Sequence, residues 1–122
     1  AYSLSSHTRK NALVVMLAAI CVTTSAQAAY VNNGFVSGEQ YRTKMATEDQ
    51  EAFVVGVVSG ILVAPLLGGD EKKANKFSTC ISPMGGRQLN AIVKQWIDIN
   101  PERWHQGMNT SIYFAIKQAC SL

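Results

Sequence analysis

The stretch CISPMGGRQLNAIVKQWIDINPERWHQGMNTSIYFAIKQAC, residues 80–120, decides the fold. Leu89, Ile92, Val93, Trp96 and Ile97 recur at intervals of three and four, the spacing of one face of a helix. Asn100-Pro101 interrupts that stripe, with Asn100 placed as a cap and Pro101 as a first helical residue. Beyond it Trp104, Met108, Ile112, Ala115, Ile116 and Ala119 form a second stripe. The pattern predicts two antiparallel helices joined by a tight turn, the first opening at Ser82-Pro83 and the second running on from Pro101. Cys80 and Cys120 stand at their outer ends, which up-down packing brings together, so a disulfide between them is geometrically natural.

Redox chemistry points the same way. The third cysteine, Cys21, falls inside a segment with the three parts of an export leader: Arg9 and Lys10, the apolar run from Ala12 to Val22, and Ala26-Gln27-Ala28 for cleavage. Residues 1–28 are therefore expected to be a removed signal peptide, and residues 29–122 a single helical domain delivered to an oxidising compartment, the periplasm. Ile20 is the wrong neighbour for a lipid-modified cysteine, and the run of 11 apolar residues is short of the ~20 that span a bilayer. No membrane attachment is expected once the leader is gone.

A domain of 94 residues holds one modest core. The reading is all-α, a bundle of about four helices stapled by one disulfide whose loop closure is worth about 4 kcal/mol before strain. Losing the bridge should hurt folding more than chemistry. The whole chain carries +3, but Arg9 and Lys10 leave with the leader, so nine Lys and Arg face eight Asp and Glu. That balance argues against a nucleic-acid partner. Lys72, Lys73 and Lys76 form a small basic cluster, but Asp70 and Glu71 precede it and no aromatic platform follows, so it reads as a solvated loop.

Upstream, Asn32-Asn33-Gly34 is a lead-in, and Ser37 with Gln40 makes a capping box for a short helix through Lys44, buried at Tyr41 and Met45. Thr47, followed by Glu48, Asp49 and Gln50, predicts the cap of a long helix reaching about Leu66. Phe53, Val54, Val57, Val58, Ile61 and Leu62 have helical spacing, with a buried strand as the competing reading of so many β-branched residues. Ala52, Gly56, Gly60 and Ala64 fall four apart and form a smooth strip. It serves either packing within the monomer or the seam of a homodimer. A membrane helix ranks last, because the run is short and Pro65 interrupts it. Pro65 and Gly68-Gly69 end the helix, and residues 70–76 read as an exposed, charged connection before Phe77 returns to the core.

Catalytic signals are sparse. His105 is the one histidine outside the leader, and although Asp98 and several serines could be imagined beside it, no Gly-x-Ser-x-Gly elbow selects a nucleophile. Cys80, Cys120 and His105 lack a fourth ligand and any metal-binding spacing. No phosphate-cradling or dinucleotide glycine motif occurs. Trp96 and Trp104 sit on the apolar stripes and read as core. The expectation is a binding protein with no enzyme activity, no metal and no cofactor.

Cys80-Ile81-Ser82-Pro83, Gln88-Leu89, Val93, Trp96-Ile97, Asn100-Pro101-Glu102-Arg103, His105 and Ala115-Ile116 through Ala119-Cys120 together resemble the Rap/Tai family, small exported helical proteins of bacteria. The likeness runs from about Phe53 to Cys120. The ending Gln118-Ala119-Cys120 differs from the family's, which places a proline just before the last cysteine. The resemblance implies a periplasmic immunity protein, often dimeric, that uses a protruding loop to block a peptidoglycan amidase delivered by type VI secretion. Some family members have no toxin partner. On that analogy the contact loop is Leu66, Leu67, Gly68, Gly69, Asp70, Glu71 and Lys72. An acid-stress holdase of the HdeA type is the alternative, although near-neutral charge and a single histidine offer no clear pH trigger.

Overall fold

The computed structural model describes residues 34–122. The expected leader, its cleavage site and Asn32-Asn33 lie outside the described residues. What is described is all-α, with a disulfide between Cys80 and Cys120. Five helices follow one another: α1 (Gly38–Lys44), α2 (Thr47–Leu62), α3 (Glu71–Ile81), α4 (Gly86–Ile99) and α5 (Met108–Ala119). Short 3-10 turns occupy Ala64–Leu67 and Pro101–Arg103.

Helix α4 packs against both α2 and α5, and α2 also touches α5, so these three surround the core. Val54 and Val58 from α2 meet Leu89, Val93, Trp96 and Ile97 from α4 and Met108, Ile112, Ala115 and Ile116 from α5. Both apolar stripes of the sequence thus face inward except at Ala119, which is exposed, and the β-branched run of α2 is helical. Helix α3 lies along α2 and contributes Phe77 and Ile81. Helix α1 contributes Tyr41, which is fully buried, while Met45 is half-buried.

Helix ends obey local chemistry in some places and not in others. The Ser37 hydroxyl accepts from the Gln40 amide and the Gln40 side chain accepts from the Ser37 amide, completing the predicted capping box. At α2, Thr47 is the first helical residue, the cap position belongs to Ala46, and no side chain caps it. Helix α2 stops at Leu62, short of the expected Leu66, because Pro65 has no amide to continue the α-helical ladder and its ring crowds the carbonyl four residues before it.

Three further expectations are corrected. Residues 70–76 are not a loop: Asp70 caps α3, its carboxylate accepting from the Lys73 amide at 3.0 Å, and Glu71 lies in the first turn, where the helix dipole favours negative charge. Ser82-Pro83 does not open a helix, since the Ser82 amide donates to the Ser78 carbonyl and closes α3, and α4 begins only after Gly85. Cys80 therefore ends α3, and the bridge joins the C-terminal ends of α3 and α5, with Cα atoms 5.9 Å apart.

The helix expected to run on from Pro101 breaks at Gly107. The cause is nonlocal. The Gly38 amide donates to the Gln106 carbonyl at 3.1 Å, the Glu39 amide to the Trp104 carbonyl at 3.0 Å, and the Met108 amide to the Val36 carbonyl at 2.7 Å. Backbone groups that a continuous helix would use internally are instead shared with residues 36–39. Asn100 does not cap the turn that follows it; its side-chain amide donates back to the Trp96 carbonyl at the end of α4.

Such close backbone approach leaves no room at Gly38, where an added Cβ would stand 3.0 Å from both Ile97 Cδ1 and Trp104 Cα. Gly56, inside α2, has open space around it. Gly38→Ala is expected to lower stability by about 1–3 kcal/mol. Gly56→Ala should raise it by about 0.5–1 kcal/mol. Urea midpoints measured on the two variants at submicromolar concentration check both signs.

Candidate functional site

The connection between α2 and α3 presents two adjacent, almost fully exposed leucines. After α2 ends, Ala64, Pro65, Leu66 and Leu67 wind into a 3-10 turn, and Gly68 leaves it in the left-handed region at φ 88°. Three backbone bonds hold the turn: the Leu66 amide donates to the Val63 carbonyl at 3.0 Å, that of Gly68 to Pro65 at 3.1 Å and that of Gly69 to Ala64 at 2.9 Å. Gly69 is pressed so closely that an added Cβ would lie 2.9 Å from the Ala64 oxygen. The result is a fixed bend with Leu66 and Leu67 at its crest, 85% and 88% exposed.

Of the seven residues assigned to a contact loop, the turn brings together Leu66, Leu67, Gly68 and Gly69. Asp70 is occupied as the cap of α3, and Glu71 and Lys72 belong to its first turn. The projection is therefore shorter and more apolar than a charged loop.

It is continuous along the chain with a face of α2 that bears no charge. From Ala52 to Gly69 the sequence contains no Asp, Glu, Lys or Arg. Ala52, Val55, Gly56, Ser59, Gly60 and Val63 are exposed on this helix, and Ala64 is half-buried. The Ser59 hydroxyl donates back to the Val55 carbonyl at 2.7 Å, which engages the donor of the one polar side chain on this face. Gly56 and Gly60 have nothing within 4 Å of an added Cβ, so these two positions are not used for packing inside this chain, whereas Ala64 is half-buried beside Gly69. Contiguous exposed apolar surface of this kind is the usual mark of a contact surface.

Residues considered for catalysis are arranged otherwise. His105 is exposed, and among the described residues no hydrogen bond or ion pair reaches it. Asp98 is engaged by Arg42 at 2.7 Å and by Lys94 at 3.9 Å. Cys80 and Cys120 are bonded to each other, and among the described residues no group of three His, Cys, Asp or Glu side chains could hold a metal. No described helix is long and apolar enough to cross a membrane. Trp96 is buried and Trp104 half-buried; their indole N–H groups donate to Gln118 Oε1 at 3.0 Å and the Ile97 carbonyl at 2.8 Å.

One buried polar cluster escaped the sequence reading. The Tyr41 hydroxyl of α1 donates to Asn90 Oδ1 of α4, and the Gln50 side chain of α2 donates to the Tyr41 carbonyl at 2.7 Å. All three side chains are buried, so each bond replaces one to water that folding removed. Gln50 stands four residues before Val54, and Asn90 three before Val93, so each lies in line with a buried stripe. That alignment was the available signal.

No protein-family model matches this chain, and neither the curated proteins nor the solved structures contain a match to it.

Burial, and secondarily the negative charge of Asp98, push the Tyr41 phenol above its usual range. The folded protein thus holds this proton where the unfolded chain gives it up. Its contribution is complete below the ordinary tyrosine pKa of about 10 and is lost as pH rises beyond it. Tyr41→Phe leaves Asn90 Oδ1 buried without its donor and is expected to cost about 1–3 kcal/mol at neutral pH. Denaturant titrations from pH 7 to 11 should show a smaller alkaline loss in the variant than in the parent.

Proposed function

We propose that this chain is an exported, periplasmic immunity-type protein that binds and inhibits a peptidoglycan amidase delivered by type VI secretion. The motif resemblance running from Cys80-Ile81-Ser82-Pro83 to Cys120 suggests the role. The observation that carries it is the pair of leucines, Leu66 and Leu67, held almost fully exposed on a turn fixed by three backbone bonds. Blocking a cleft demands a projecting element that loses little freedom on insertion, and a pre-formed bend meets that demand. Apolar side chains entering the cleft would exclude water from it, and no bond needs to be made or broken by the inhibitor. The disulfide is consistent with an oxidising destination.

A second contact, with another copy of the chain, is favoured by the open strip at Ala52, Gly56 and Gly60. Small residues four apart let two helices approach closely, and here the space beside them is empty.

Inhibition is tested with any peptidoglycan amidase encoded beside this gene, by following peptide release from purified peptidoglycan. The parent protein should suppress release. Leu66→Asp/Leu67→Asp, with an unchanged thermal midpoint, should inhibit on the order of a hundredfold less well, the worth of two buried leucines. Failure of the parent protein to bind or inhibit that amidase ends the reading. For the homodimer, sedimentation at micromolar concentration should give twice the chain mass and Gly60→Leu should restore the single mass; a monomeric parent refutes it.

A further inference from the structure

Beside the base of the leucine turn, where Ala64 and Asp70 contribute, a solvent-open cavity of about 460 Å³ lies where the end of α2, α3 and the end of α5 converge. Small-molecule sites are typically roughly 300–1,000 Å³, with an apolar lining and few polar groups. Ile61, Phe77 and Tyr113 line this cavity. The Phe77 and Tyr113 rings are stacked, 7° from parallel with centroids 6.2 Å apart, and form a flat aromatic wall.

Positive charge comes from two sides. Lys73 and Lys76, three residues apart on α3, fall on one face of that helix. Lys117 comes from α5, its Nζ 6.0 Å from the centre of the Tyr113 ring. None of the three takes part in the ion pairs of the described residues. One acidic side chain lines the cavity, that of Asp70, and it is already bound to the Lys73 amide as the cap of α3. Three lysines therefore stand beside one engaged side-chain carboxylate around an apolar wall. Besides these charged groups, the polar side chains of the lining are the Tyr113 and Ser121 hydroxyls, which is too little hydrogen-bonding capacity to read a sugar or a base.

We propose that this cavity binds a single-chain amphipathic anion, a hydrocarbon tail with a carboxylate head. The tail lies along Ile61, Phe77 and Tyr113, and the head sits between Lys73 and Lys117. Tail burial supplies the affinity, and the lysines select for negative charge. The site is independent of amidase inhibition, since it uses neither Leu66 nor Leu67.

Isothermal titration of the 122-residue protein with dodecanoate tests this, with butyrate and dodecyl maltoside as the short-tailed and uncharged arms. Dodecanoate should bind saturably at one per chain, more weakly as salt is added, while the other two arms give no saturable heat. Lys73→Gln/Lys117→Gln should weaken binding on the order of tenfold. Both lysines reach the surface, so their replacement leaves the core intact. Ala74→Trp, which fills the cavity from α3, should abolish binding with the helical circular dichroism retained. No saturable dodecanoate binding, equal affinity in the glutamine variant, or equal affinity for dodecyl maltoside overturns the proposal.

Discussion

Helix α3 depends on one covalent bond. Its buried contribution is limited to Phe77 and Ile81, and it rests on α2 and the turn that precedes it. The bridge from Cys80 to Cys120 ties its far end to α5, which is itself built into the core. A short amphipathic helix with so little buried surface is marginal alone. Because α3 starts where the leucine turn ends, the staple also limits where that turn can stand. The cavity shares this dependence, with α3 forming one wall and α5 the other.

A second constraint organises the opposite flank. Residues 36–39 share backbone hydrogen bonds with residues 104–108, which breaks the chain between α4 and α5 and sets α1 across the gap. Once α1 is placed there, Tyr41 enters the core and reaches Asn90, and Gln50 follows it. Arg42 leaves the same helix outward, pairs with Asp98 and lies over Trp104. Two of the three buried polar side chains among the described residues, Gln50 and Asn90, are thus arranged around the placement of a single seven-residue helix.

These two constraints explain what could be read from the sequence. The apolar stripes of α2, α4 and α5 were legible because helical burial repeats locally, and the Ser37–Gln40 box because both partners lie within one turn. The cysteine pairing followed from redox context and helix packing, although the helix end carrying Cys80 was misplaced. Asp70-Glu71 was read as part of a charged loop, yet an aspartate ahead of an acidic first turn is itself a start signal, and Phe77 with Ile81 supplies the buried side. Gly107 could not be read as a break, because its partner across the fold is Ser37, far upstream. The strip at Gly56 and Gly60 was visible as a pattern, but only the positions of the other helices show which way it faces. Of the residues proposed for contact, Leu66, Leu67, Gly68 and Gly69 form a turn that Pro65 announces in the sequence, while Asp70, Glu71 and Lys72 stand at the head of α3.

The surroundings of the two tryptophans carry an experimental consequence. Trp96 donates across to Gln118 and so reports the meeting of α4 and α5. Trp104 lies under the Arg42 guanidinium, 3.8 Å from the ring centre, and its emission is sensitive to whether α1 has docked. Refolding followed by fluorescence on proteins that keep one indole each would separate assembly of the central hairpin from closure of the amino-terminal clasp, two events that circular dichroism records as one.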